Sequence, residues 1–222
     1  MGVISVEKAD NLLWLGRYIE RVYTTLKEFF ISYDKMIDMG DDFYKELCER
    51  LKIPCVYESR DDFIRNYPFD DTNPDSIYSN LLRAYDNAVI LRELLGSETL
   101  SYIQMAVYAI QKAKLGSETL VELMRVTDYI LAFWGCMDDD VDDETARNII
   151  KAGKRIERLD LYIRLGMKNK VELIRQYQRL LPRLQRSGLT YNPYVLDTLE
   201  PMLHEQDINY KKAINLLEKL FD

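Results

Sequence analysis

The chain has 222 residues, of which 47% are hydrophobic, and only nine are glycine and six are proline. This composition is typical of an all-α protein with enough apolar residues for a substantial core. The net charge of −7 argues against nucleic acid and anionic membranes as partners, because both are bound by a basic face. No stretch approaches the ~18 consecutive apolar residues of a membrane span.

Hydrophobic periodicity predicts a first long helix from Ser5 to Ile37, in which apolar residues recur every three or four positions. The following region, 38–75, is different, since it is rich in acids and interrupted by three prolines. We predict short helices near 41–51 and 60–66 within this region, which forms an elaborated connection inserted as a cap or loop. A connection of this length is often functional.

From Asp75 onward the apolar periodicity predicts further helices. The segment GSETL occurs at 96–100 and again at 116–120, each time as a helix-ending glycine followed by an N-capping serine. Such signals predict antiparallel helices joined by short turns. The predicted helices are 75–95, 97–114, 117–137, 143–166, 170–186 and 206–221, with a loop at 187–193. The sequence therefore predicts one all-α domain over residues 1–222, a bundle of five to six long, mostly antiparallel helices.

Two segments share a local design. Residues 9–24 read ADNLLWLGRYIERVYT, and residues 146–161 read ARNIIKAGKRIERLDL. A glycine inside a helix costs about 1 kcal/mol relative to alanine, so its occurrence at the same offset in both copies needs a reason. We expect each glycine to let a neighbouring backbone come close. The matched positions are Gly16 with Gly153, Glu20 with Glu157, and Arg21 with Arg158.

Glu20 and Glu157 lie on helix stripes that are otherwise small and apolar, each one turn beyond its glycine. A carboxylate that is partly buried needs an opposite charge or several hydrogen-bond donors. Arginines at Arg17, Arg21 and Arg158 are available for this. We predict a buried Glu–Arg network, which either only fixes helix register or lines a ligand pocket. The many arginines favour ionised glutamates, and hence recognition of a carboxylate or another anion over proton transfer.

The sequence predicts no metal site and no cofactor. The acidic run MDDDVDDETARN lacks the glycine and glutamate spacing of a calcium loop. A di-iron centre of the ferritin type requires Glu-x-x-His motifs, and the single histidine, His204, has no glutamate three residues before it. No phosphate-binding loop, dinucleotide fingerprint or nucleophile elbow is present.

Three unpaired cysteines and the absence of a leader pattern at the N-terminus suggest a cytoplasmic protein with free thiols. An odd number of cysteines without a C-x-x-C pair is typical of a reducing compartment. The sequence does not determine the oligomeric state.

Three segments resemble the motifs of a known family, the alpha-E domain proteins. They are SVEKADNLLWLGRYIER (5–21), RAYDNAVILRELLGSETLSYIQ (83–104) and AGKRIERLDLYIRL (152–165). The resemblance implies an all-helical domain, and it implies company with ATP-grasp-like and transglutaminase-like proteins, beside which family members are commonly encoded. Asp86 stands where many members have glutamate. The residues that carry over are Gly16, Arg17, Glu20, Arg21, Arg83, Asp86, Asn87, Glu98, Gly153, Glu157 and Arg158.

Two functions follow from these observations. The first is an accessory helical domain that assists an ATP-grasp-like or transglutaminase-like partner in peptide or amide-bond chemistry, by binding the partner or its peptide substrate. The second is an enzyme that uses the cluster directly, with Glu20 or Glu157 as a general acid or base. The absence of catalytic motifs favours the first, with the polar residues as a binding or structural network.

Overall fold

The computed structural model describes residues 4–116, 118–166 and 169–221. Over these ranges the chain forms helices and no strands, which confirms the all-α class. The helices are α1 (Val6–Asp38), α2 (Phe43–Leu51), α3 (Arg60–Asn66), α4 (Ile77–Ile90), α5 (Arg92–Leu115), α6 (Thr119–Asp140), α7 (Glu144–Arg164), α8 (Lys170–Ser187), α9 (Pro193–His204) and α10 (Tyr210–Leu217). A 3-10 turn, Tyr67–Phe69, follows α3.

The two helices that carry the repeated design, α1 and α7, begin at side-chain caps. The Ser5 hydroxyl accepts a hydrogen bond from the backbone N–H of Lys8 at 3.2 Å, and the Asp143 carboxylate accepts one from that of Ala146 at 2.9 Å. Each cap satisfies a backbone donor that the first helical turn leaves without a partner. Local chemistry therefore determines where both helices start.

Helices α5 and α6 run antiparallel, as do α7 and α8, whereas α1 and α7 run parallel. Lys112 binds Glu122 and Thr99 binds Asp140, so α5 and α6 pair in opposite directions. Hydrogen bonds from Arg155 to Gln176 and from Arg183 to Asn148 pair α7 with α8 in the same way. Between α1 and α7, residue numbers increase in the same direction on both helices, because Leu13 contacts Gly153 and Arg21 contacts Glu157.

The region 38–75 packs onto the first helix through aromatic rings. Phe63 of α3 stacks between Tyr44 of α2 and Tyr67 of the 3-10 turn, with ring centroids 5.4 Å and 5.0 Å away. Phe63 also lies 5.8 Å from Phe29 of α1. The two short helices occupy the ranges that the sequence predicts, and the rings attach them to the core.

The C-terminal part differs from the prediction. Helix α9 was not expected, and α10 is shorter than the predicted 206–221. Proline is a helix-breaking signal, but Pro193 stands in the first turn of α9, where a missing N–H costs little. Leu196, Leu199 and Leu203 of α9 are buried. Tertiary packing therefore stabilises a helix in a segment whose prolines do not favour one.

Gly96 interrupts α5, since its φ of 75° and ψ of 164° are not helical. The sequence predicts that a helix ends at this glycine. In the structure Gly96 is a kink, which separates one helical turn that begins at Arg92 from the rest of α5. None of the described helices is both long and apolar enough to cross a bilayer. The three cysteines form no disulfide.

Candidate functional site

Helices α1 and α7 touch backbone to backbone at two glycines. A Cβ atom built on Gly16 would lie 2.0 Å from the carbonyl oxygen of Ile150. A Cβ atom built on Gly153 would lie 2.1 Å from the carbonyl oxygen of Leu13. Any side chain at either glycine would force the two backbones apart, and the close approach brings the next turn of each helix into the interface.

Glu20 lies in this interface and is fully buried. Its Oε1 accepts a hydrogen bond from Nε of Arg158 at 2.5 Å, and its Oε2 accepts one from Nη2 of the same arginine at 2.9 Å. The Thr24 hydroxyl, one turn further along α1, donates to Oε1 at 3.0 Å. Glu20 thus forms a bidentate ion pair with a guanidinium from the other helix.

Glu157 is also fully buried and is bound by two arginines of α1. Nε of Arg21 donates to its Oε1 at 2.5 Å, and Nε of Arg17 donates to its Oε2 at 2.8 Å. The pairing is therefore reciprocal. The glutamate of each Glu–Arg dipeptide binds the arginine of the other dipeptide, and together they form what we term the Glu–Arg crossing (Arg17, Glu20, Arg21, Glu157 and Arg158).

The electrostatics around Glu157 favour its ionised form. Burial raises the pKa of Glu157, but the charges of Arg21 and Arg17 outweigh burial and hold this pKa below its ordinary value. Burial lowers the pKa of Arg21 and of Arg158, but the partner glutamates more than offset it, so both pKa values are raised. The ion pairs of Glu157 therefore persist at neutral pH.

The residue after the glycine differs between α1 and α7. Arg17 follows Gly16, binds Glu157, and places its guanidinium 4.5 Å from the centroid of the Trp14 ring. Lys154 follows Gly153, and its amine lies 3.7 Å from the Trp134 ring centroid. Burial lowers the pKa of Lys154 to about 7; Glu20 opposes this shift, and Arg158 and Arg155 add to it.

A cleft of about 190 Å³ opens beside Arg21. Its charged walls are Arg21 of α1, Lys52 after α2, Asp75 before α4, and Arg164 at the end of α7. Three aliphatic residues (Leu51, Ile53 and Leu161), Thr25 and Tyr67 complete the lining. Three cations and one acid thus face a space beside the Glu–Arg crossing.

Contacts around α2 hold Lys52 at the cleft. Nε and Nη2 of Arg50 donate to the carbonyl oxygen of Leu165 at 3.2 Å and 3.0 Å, and Nη2 also lies 3.2 Å from Glu28. The positive charge of Arg50 also interacts favourably with the negative C-terminal end of the α7 helix dipole. Lys52 follows in the left-handed conformation, with φ of 58°.

Arg164 is held by two acids. Its Nε donates to Asp160 at 2.7 Å, and its Nη2 donates to Glu218 at 2.9 Å. Burial raises the pKa of Asp160, Arg164 opposes this shift, and the nearby Glu157 adds to it. The guanidinium therefore reaches the cleft with a fixed orientation and a largely compensated charge.

The structure places four of the predicted network residues elsewhere. Arg83 donates to the carbonyl oxygen of Pro74 at 2.9 Å, Asp86 and Glu98 are exposed, and Asn87 is half-buried on α4. Within the described ranges, no side-chain hydrogen bond or ion pair joins any of these four to Glu20 or Glu157. Their place in a site stays a prediction.

Sequence reasoning missed several residues of the cleft. Lys52 and Asp75 lie at irregular points of 38–75, where no periodic pattern singles out a residue. Arg164 had a signal, because it follows Glu157 by seven residues and hence lies two turns further on the same helix face. Lys154, which lies outside the cleft, also had a signal, because it directly follows Gly153.

Comparison with known proteins places these residues in a family. A family model named Alpha-E, described as a predicted α-helical domain with a conserved ER motif, matches residues 7–195. The chain belongs to the Alpha-E family. Neither a curated protein nor a solved structure matches it.

The matched range of this Alpha-E chain contains three Glu–Arg dipeptides, at 20–21, 49–50 and 157–158. The first and the third build the Glu–Arg crossing. In the second, Glu49 is exposed, and Arg50 binds the end of α7. The first and third dipeptides therefore differ from the second in that their glutamates are buried beside a glycine contact between helices. No group of three or more histidine, cysteine or acidic side chains that could hold a metal lies among the described residues.

Proposed function

We propose that this Alpha-E chain is an accessory domain that binds rather than transforms. It assists an ATP-grasp-like or transglutaminase-like partner in peptide or amide-bond chemistry, and it does so by binding the partner or its substrate. The partner class comes from the family resemblance. The observation that supports a binding role is that guanidinium groups occupy every oxygen of the two buried carboxylates.

A general acid or base must reach the proton that it transfers. Glu20 and Glu157 are each 0% exposed, and each carboxylate oxygen already accepts a hydrogen bond from an arginine. The lowered pKa of Glu157 also makes it a weak base and leaves it no proton to donate near neutral pH. These properties disfavour the alternative of an enzyme that uses either glutamate directly.

The side chains that do face open space are suited to recognition. Arg21, Lys52 and Arg164 line the cleft, and arginine matches the planar geometry of a carboxylate. Glu157 orients Arg21 from behind, and Asp160 and Glu218 hold Arg164, as a supporting layer does in other binding sites. A carboxylate-bearing ligand, such as part of a peptide substrate, therefore suits the site.

Reconstitution with the partner tests the proposal. The chain is mixed with ATP-grasp-like and transglutaminase-like proteins, the partner classes that the family resemblance implies, and complex formation is followed by size-exclusion chromatography with light scattering. Partner turnover is measured with and without the chain. We expect a complex and faster turnover with the chain present.

Two outcomes would contradict the proposal. One is a chain that forms no complex with proteins of either class and leaves their turnover unchanged. The other is amide-bond turnover by the chain alone that disappears in a folded Glu20→Gln or Glu157→Gln variant. Thermal melting of each variant establishes that it is folded at the assay temperature.

A further inference from the structure

We propose that the cleft beside Arg21 binds a free α-amino acid as its zwitterion, with the ligand carboxylate on Arg21 and Lys52 and the ligand ammonium on Asp75. The inference rests on the proposed function in one respect, that the domain binds its ligand unchanged. It adds the chemical class of that ligand and the residues that select it.

Arg21 supplies the first half of the site. A guanidinium has five N–H donors, and Glu157 takes only the one on Nε. Within the described residues, the two terminal nitrogens of Arg21 make no hydrogen bond, and its side chain is 30% exposed. Arg21 therefore lines the cleft with its bidentate edge unused, while Glu157 fixes the orientation of the guanidinium.

Lys52 and Asp75 supply opposite charges that do not meet. Both line the cleft, yet neither lies within 4.0 Å of an oppositely charged group among the residues that the structure describes. A separated cation and anion across one cleft complement a ligand that carries both charges.

The remaining lining argues for a small, singly charged carboxylate. Asp75 would repel a phosphate dianion, and Asp160 and Glu218 already compensate Arg164. The volume of about 190 Å³ is below the ~300–1,000 Å³ of pockets for drug-sized ligands. Leu51, Ile53 and Leu161 offer an apolar wall to an amino-acid side chain.

Isothermal titration calorimetry on the full chain tests the proposal with L-leucine as the probe. N-acetyl-L-leucine lacks the ammonium, and L-leucinamide lacks the carboxylate. Each lost charge contact should weaken binding, and we expect L-leucine to bind at least about tenfold more tightly than either derivative. This pattern requires both charged ends of the ligand to be recognised.

Two variants assign the contacts. Lys52→Met should weaken binding of L-leucine and of the N-acetyl derivative by about tenfold and leave the amide unchanged. Asp75→Asn should weaken binding of L-leucine and of the amide and leave the N-acetyl derivative unchanged. Neither side chain forms an ion pair in the described structure, so we expect both variants to fold, which thermal melting checks. Lys8→Met and Asp71→Asn, at exposed positions outside the cleft, are the matched controls.

The proposal is overturned if the dissociation constant of L-leucine is weaker than the millimolar range. It is also overturned if N-acetyl-L-leucine binds the wild-type chain as tightly as L-leucine does. It is also overturned if Asp75→Asn leaves the preference for the free amine intact. Partner capture by the same protein separates the two claims. A chain that captures its partner but not L-leucine refutes only the cleft, whereas chemical conversion of bound L-leucine by the chain alone refutes the proposed function.

Discussion

Arg17 and Lys154 occupy equivalent places in the two halves of the Glu–Arg crossing, but only Arg17 has a carboxylate partner. Each follows a crossing glycine, and each lies over a tryptophan ring. Arg17 binds Glu157 at 2.8 Å, whereas Lys154 forms no ion pair with any residue that the structure describes. Lys154 is therefore a half-buried cation that the fold accommodates at a cost.

That cost makes stability depend on pH. The pKa of Lys154 is lowered to about 7 in the fold, and in the unfolded chain it is about 10.4. Between these two values the unfolded chain binds more protons, so the free energy of unfolding rises with pH. Lys154→Met removes the buried charge, and we expect it to stabilise the chain most below pH 7.

Urea unfolding at about pH 6 and about pH 9 measures this gain, which should be roughly twice as large at the lower pH as at the higher one. Lys8→Met, at an exposed lysine, should change stability little at either pH. A gain of the same size at both pH values would refute this reading of Lys154.

The glycine contact predicts a second set of stability changes. Gly16→Ala and Gly153→Ala place a methyl group about 2 Å from a carbonyl oxygen, so the helices must separate. We expect each substitution to destabilise the chain by about 1–3 kcal/mol or more.

Gly135→Ala is the matched control for the glycine contact. Gly135 is also inside a helix, but a Cβ atom built on it meets nothing within 4 Å. Alanine there should stabilise the chain by up to about 1 kcal/mol, because it favours the helix more than glycine does. Equal destabilisation at all three positions, measured by urea unfolding, would show that helix contact is not the cause.

Removing one buried carboxylate tests the ion pairs. Glu157→Gln leaves the charges of Arg17 and Arg21 without a partner, and we expect a loss of about 3–5 kcal/mol. Glu49→Gln changes an exposed glutamate that also precedes an arginine, so it should be nearly neutral. Urea unfolding near neutral pH distinguishes the two.

The same variant should also change the response to acid. Because the pKa of Glu157 is lowered in the fold, its contribution is fully present above the unfolded value of about 4.3. That contribution is lost as pH falls through the lower, folded pKa. The difference in stability between wild type and Glu157→Gln should therefore shrink in acid, and a difference that stays constant would contradict ionised pairing.

The backbone at Lys52 predicts a further outcome. Lys52 has φ of 58°, a conformation that glycine adopts without cost. We expect Lys52→Gly to stabilise the chain by up to about 1 kcal/mol, whereas Lys52→Met, which keeps the Cβ atom, should bring no gain. Thermal unfolding of both variants measures the difference, and a less stable glycine variant would contradict the prediction.

The sequence by itself determined the helical class and the positions of most helices. Apolar residues at a period of 3.6 mark each long helix, and short-range capping by Ser5 and Asp143 defines where two of them begin. It did not reveal α9, because prolines are read locally as breakers, whereas long-range burial of Leu199 and Leu203 outweighs that signal. Local chemistry therefore predicts helices that have their own sequence signals, but it does not predict a helix that depends on tertiary packing.

The repeated glycine and Glu–Arg offset is also visible in the sequence, and it indicates that two helices share one local design. Only the tertiary structure decided that these helices run parallel, that each glutamate binds the opposite arginine, and that a cleft joins Lys52 and Asp75 to Arg21. The physical reason is distance along the chain. Periodicity and capping act over a few residues, whereas ion pairs between residues more than a hundred positions apart depend on how complete helices cross.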